Sequence, residues 1–135
     1  MKFKSTLLLA FIVITLTQCK KDNNDLTKSI VGKYTSGTGS DYVEIIVTKV
    51  DNQTISVYTY DTYNNGRTHA ETKMNSETSF TLNKISFNDI GVRFEYEGSG
   101  TYSTGNIVVN RIEKVFNSST NALISDDNRT YTGSK

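Results

Sequence analysis

The chain has 135 residues, and among them are no proline, no tryptophan, one cysteine and one histidine. A lone cysteine excludes an internal disulfide, so an exported domain made from this chain must fold on its apolar core. A lone histidine, His69, leaves one candidate for the base that an activated Ser or Thr requires. His69 and Glu71, two residues apart in an expected strand, could donate two metal ligands, whereas a catalytic zinc site takes three. Charge bias is missing too: 15 Lys plus Arg face 14 Asp plus Glu, which gives no electrostatic reason to expect nucleic acid. Ser36-Gly37-Thr38-Gly39-Ser40 has the composition of a phosphate loop but lacks its lysine and following helix, and reads as a hairpin turn. After Asp25 no apolar stripe recurs at helical spacing.

What the N-terminus does contain is layered. Lys2 and Lys4 form a short basic start, residues 7–16 are almost entirely apolar, and Thr17, Gln18 and Cys19 end the run. This is the layout of a helical secretory signal. A transmembrane helix needs roughly 20 apolar residues, about twice what is present, so residues 1–18 are expected to be exported and cut.

Leu16-Thr17-Gln18-Cys19 resembles the lipobox of bacterial lipoproteins, with Leu three residues before the cysteine. The resemblance implies that the Cys19 thiol becomes a thioether to diacylglycerol and the first residue of the mature protein. Each buried methylene contributes about 0.8 kcal/mol, so two or three acyl chains hold firmly where one does not. Lys20 and Lys21 add about 1 kcal/mol each near anionic headgroups. Residues 19–28 read as a hydrated tether, rich in Lys, Asp and Asn. Asp22 and Asp25 lack the glycine and glutamate spacing of a calcium loop. Lys20-Lys21-Asp22 behind the anchor resembles lipoproteins of Bacteroidota, which implies the outer membrane and its cell-surface face, with a periplasm-facing anchor as the alternative.

Without Lys2 and Lys4 the balance becomes 13 basic to 14 acidic residues. Residues 29–135 form the expected single domain, and its fold class is all-β. Val92, Phe94 and Tyr96 alternate with Arg93, Glu95 and Glu97, the pattern of a strand with one apolar side. The expected strands are 30–35, 42–50, 54–60, 67–74, 79–86, 92–97, 100–103, 107–116 and 129–132, with an irregular polar loop over 117–128. Asn64-Asn65-Gly66 offers the Asn-Gly pair of two-residue hairpins, and 51–53, 88–91 and 104–106 carry turn residues. Eight or nine such strands make an antiparallel up-and-down meander. Closing it into a barrel removes exposed edges, and a two-sheet β-sandwich satisfies the same pattern.

Ile30-Val31-Gly32-Lys33-Tyr34 resembles the Gly-x-Trp start of lipocalins and related calycin barrels, with Tyr34 in the tryptophan's place. Gly98-Ser99-Gly100-Thr101-Tyr102 and Gly105-Asn106-Ile107-Val108-Val109 are similar to glycine-punctuated strands of small lipocalin-like lipoproteins of Bacteroidota. The resemblance implies a closed barrel and an apolar or amphipathic ligand. Tyr34, Tyr58, Tyr60 and Tyr63 are the candidate ligand residues, because tyrosine joins an apolar ring to a hydrogen-bonding tip. Alternation puts Tyr58 and Tyr60 on one face and Ile55, Val57 and Thr59 on the other. The competing reading is that these aromatics only suit strands.

Catalysis finds little footing. Glu95 and Glu97 point the same way from one strand, whereas a glycosidase flanks its bond with two carboxylates roughly 5 to 9 Å apart. No cofactor or catalytic residue is expected. Two readings follow: a membrane-anchored, non-enzymatic module holding a small apolar or amphipathic ligand in an incompletely filled barrel, or a solidly packed surface adaptor for envelope proteins. Both depend on the anchor. Cys19→Ala is predicted to release the protein from membranes, measured as its transfer from the membrane pellet to the soluble fraction; unchanged sedimentation with membranes would refute lipidation at Cys19.

Overall fold

The computed structural model describes residues 24–63 and 66–135. The expected signal segment, Cys19 and the Asn64-Asn65 part of the hairpin turn lie outside the described residues. The strands are β1 (Gly32–Ser36), β2 (Val43–Lys49), β3 (Thr54–Asp61), β4 (Arg67–Ser76), β5 (Ser79–Asp89), β6 (Val92–Ser103), β7 (Asn106–Asn117) and β8 (Leu123–Ser134). Each runs antiparallel to the next, and β8 returns to β1, so the sheet closes as an up-and-down barrel. The meander reading holds, and closure excludes the sandwich. Between β1 and β2 lies a short 3-10 turn, Gly39–Asp41.

Two sequence expectations change. Residues 92–97 and 100–103 are one strand, because Gly98 and Gly100 sit within β6 and pair with β5 and β7. Gly100 permits a close approach, since a Cβ there would lie 1.9 Å from the Phe80 ring. The expected loop over 117–128 is a turn followed by strand. Asn117 Oδ1 accepts from the Ser119 and Thr120 amides, at 2.9 Å each, and β8 begins at Leu123. Its first six residues are exposed, so no apolar alternation marked them as strand.

The ring is uneven. β1 has five residues and β8 twelve, and the only register partners between them are Thr35 and Ser134. Near this seam Ser36 Oγ donates to the Thr132 carbonyl at 2.7 Å. Lys135 Nζ donates to the Ser29 and Val31 carbonyls and lies 5.0 Å from the centre of the Tyr34 ring. Tyr34 in turn donates through its hydroxyl to the Ile30 carbonyl. One end of the barrel is thus tied shut. Asp25, placed in the expected tether, also joins the fold: it accepts from Thr27 and pairs with Lys49 at 2.5 Å, and these contacts pull its pKa down to about 2.

Inside the closed half lies a continuous apolar cluster that includes Ile30, Tyr34, Ile45, Val47, Ile55, Val57, Phe80, Leu82, Ile107 and Val109. It follows from period-2 alternation on successive strands, and small barrels fill their interiors in this way. Burial, with Tyr102 nearby, pushes the Tyr34 pKa up to about 12, so that ring is a neutral part of the packing. Gly100→Val would drive a branched side chain into the buried Phe80 ring and is predicted to destabilise the protein by about 1–3 kcal/mol in urea unfolding. Phe80→Leu in the same chain should recover part of that loss, and strict additivity of the two changes would contradict direct contact.

Candidate functional site

The other half of the interior is polar. On β7 the alternation of Ile107 and Val109 carries Arg111 to the inner face, and on β3 that of Ile55 and Val57 carries Thr59 there. Arg129, the register partner of Arg111, comes from β8. Arg111, Thr59 and His69 are each 1% exposed.

His69 reaches this cluster through an irregularity. Val57 pairs with His69 but Ile55 pairs with Thr72, so β4 carries one extra residue. Glu71 takes a left-handed backbone, φ 56°. A β-bulge of this kind re-aims side chains: His69 and Thr72 both face inward while Glu71 is exposed. The shared face expected for His69 and Glu71 is therefore corrected, and the pair cannot act as joint ligands. Among the described residues no group of three or more His, Cys, Asp or Glu is placed to hold a metal ion.

The electrostatics of the cluster follow from its contacts. Arg111 Nη2 lies 3.2 Å from His69 Nδ1 and also donates to the Arg67 carbonyl at 3.4 Å. A guanidinium only donates, so Nδ1 accepts and the imidazole proton resides on Nε2. Burial, then the Arg111 charge, lowers the His69 pKa to about 4; the Tyr96 carbonyl opposes this weakly, without reaching hydrogen-bond geometry. Arg67 Nε donates to the Tyr96 hydroxyl at 3.0 Å. The Tyr96 ring stands edge-on to His69, and the Arg111 guanidinium lies 5.8 Å from its centre and 5.6 Å from that of Tyr131. Burial pushes the Tyr131 and Tyr96 hydroxyl pKa values upward.

Beside this cluster is an opening of about 390 Å³, lined by Tyr42, Val43, Asp61, Tyr63, Arg129 and Tyr131 among others. It lies where β1 has ended and the 3-10 turn stands between β8 and the ends of β2 and β3. Thr62 Oγ1 donates to the Ser40 carbonyl across its rim. An aromatic row leads away from the cluster along the inner face of β5 and β6: Phe94 stacks parallel to Tyr96 with centroids 6.3 Å apart, and Phe87 stacks on Phe94 at 5.1 Å.

The structure does not bring the four candidate tyrosines together. Tyr34 is sealed in the closed end. Tyr58 and Tyr60 are on the outer face of β3, opposite buried Val57 and Thr59, and Tyr60 packs against Tyr42. Tyr63 alone lines the opening, 77% exposed. Sequence reasoning passed over Arg111, Arg129 and Thr59. The available signal was a polar residue in apolar phase: Arg111 two positions after Val109, Thr59 two after Val57, and Arg129 two before Tyr131. Glu95 lies on the outer face, paired with Lys84 and Arg93, as its alternation implied.

Comparison of the chain with protein-family models, curated proteins and solved structures gave no match. Among the described residues no helix is long and apolar enough to cross a membrane.

The unusual state of His69 has a thermodynamic consequence. Its folded pKa, about 4, lies below the ordinary 6.5, so between these values the unfolded chain binds more protons. Its stability contribution is full above pH 6.5 and is lost as pH falls toward 4, by up to about 1.4 kcal/mol per pH unit. Lowered carboxylate pKa values at Asp25, Glu44, Asp51 and Glu95 add a loss at lower pH. That loss is shared by His69→Gln, which should show a shallower decline between pH 6.5 and 4.5 in urea unfolding; equal slopes would contradict the buried neutral imidazole.

Proposed function

We propose that this protein is a lipid-anchored, non-enzymatic lipoprotein of the cell envelope whose lipocalin-like barrel binds a small amphipathic ligand at its open end. The carrying observation is an opening of about 390 Å³ at that end, which shares Arg129 with a buried polar cluster, on a barrel that also carries a stacked aromatic row along β5 and β6. Ligand sites commonly combine an apolar lining with a few placed polar groups. The closed half is filled by packed side chains, so the ligand sits near the mouth. Cys19 is the proposed attachment to the outer membrane, and the charged segment behind it is the basis for proposing the cell-surface face.

The adaptor reading draws on a different surface. Leu123 and Ile124 at the start of β8 are 54% and 57% exposed, on a strand that extends beyond its pairing with β1. Native mass spectrometry of the mature protein, taken from its own host in non-ionic detergent, separates the two readings. A reproducible extra mass that a medium-chain amphiphile displaces is the outcome expected of a binding module. A bare mass that takes up no amphiphile supports the adaptor reading.

A further inference from the structure

One side of β8 has almost no neighbour. The strand pairs with β7 along its length, but its other side meets β1 only at Thr35 and Ser134, and residues 123–128 are all exposed. On a strand edge every second residue turns its N–H and C=O outward, which makes a template for another strand. Leu123 and Ile124 on this edge are 54% and 57% exposed. Ile124 is the extra residue of a bulge and lacks a register partner even on β7. Two acids follow closely. Asp126 makes no ion pair among the described residues, although Lys114 is its register partner; Asp127 has Glu113 as register partner and Arg129 as its counter-charge at 2.6 Å. We propose that this edge takes an extended segment of a partner protein as an added strand. The segment carries two consecutive basic residues opposite Asp126 and Asp127, and two apolar residues opposite Leu123 and Ile124.

Charge selects this occupant over two others. Pairing the edge with its own copy, in either direction, sets Asp126 and Asp127 against or diagonal to the same two acids, and like charges so placed are destabilising. A lipid surface fits poorly, because the acids come within two residues of the apolar pair and anionic headgroups repel them. The anchor is also at the wrong end. Leading from the proposed lipid at Cys19, the chain joins the fold where Asp25 pairs with Lys49 and Leu26 donates to the Asn52 carbonyl. Those contacts lie at the closed end, whereas β8 starts at the open one. A strand with paired cations satisfies both acids at once, since the residues facing Asp126 and Asp127 are adjacent in its sequence. Main-chain hydrogen bonds supply affinity in such strand addition, and the side chains beside them supply specificity.

This inference rests on the adaptor reading and names its partner. The probes are two end-blocked peptides, Thr-Lys-Lys-Thr-Val-Val and Thr-Glu-Glu-Thr-Val-Val, each made also in reversed order to match a parallel strand. They are added at millimolar concentration to the full mature protein in non-ionic detergent, and amide hydrogen exchange is followed over residues 123–128. The expected result is that the lysine peptide binds roughly tenfold or more tighter than the glutamate peptide and slows exchange along the edge. Asp126→Lys should abolish its advantage; Asp126 is exposed, so this substitution leaves the core untouched. Equal protection by both peptides, or a lysine preference that survives Asp126→Lys, overturns the basic partner and leaves the adaptor reading standing. No protection of the edge by either peptide overturns both. Protection without peptide, growing with protein concentration or appearing on transfer to vesicles of neutral phospholipid, identifies a second copy or the membrane as the occupant and overturns the proposal as well.

Discussion

The mismatch between a five-residue β1 and a twelve-residue β8 is the constraint on which the rest of this barrel depends. Strands in a closed ring each need two neighbours, and β1 can supply one only to the end of β8. The ring is therefore tied at the end where Tyr34, Lys135 and the Ile30 carbonyl meet. At the other end the 3-10 turn, the β3 terminus and β8 border an opening. One short strand thereby gives the barrel a closed apolar end and an open polar one.

Interior chemistry follows that polarity. In the closed half, Tyr34, Phe80 and the aliphatic residues of β2, β3 and β7 fill the section, and no ionised group has to be desolvated. Toward the mouth the same inward phase delivers Thr59, Arg111 and Arg129. A guanidinium stays protonated at any ordinary pH, so burial cannot relieve Arg111 by neutralising it. It can only be compensated by contacts, and His69 provides one by holding its own proton on Nε2. The cluster is consequently organised around a permanent charge.

Much of the fold was legible because alternation is a local property. Val92, Phe94 and Tyr96 named their face unaided, and Ile55, Val57 and Thr59 were correctly opposed to Tyr58 and Tyr60. The misreadings have local physical causes. Gly98 and Gly100 read as a break, whereas Gly100 is a contact that Phe80 requires. The start of β8 is exposed and so carries no two-phase signal. The bulge at Glu71 shifts the phase of β4 by one residue, which no count of alternating residues reveals. For the candidate site, aromatic character drew attention to tyrosines, three of which lie in the closed end or on the outer surface, while the buried arginines in apolar phase went unread.

Taken alone, the sequence determined the all-β class, the antiparallel order and most strand positions, because side-chain period and turn residues act over a few positions along the chain. It also carries the apolar-to-charged seam at Cys19 from which lipid anchoring is proposed. Tertiary structure decided which end of the barrel closes, which arginine meets the histidine, and where an opening remains. Those outcomes rest on contacts such as Thr35 with Ser134 and Arg111 with His69. Such residues are brought together only when the ring shuts.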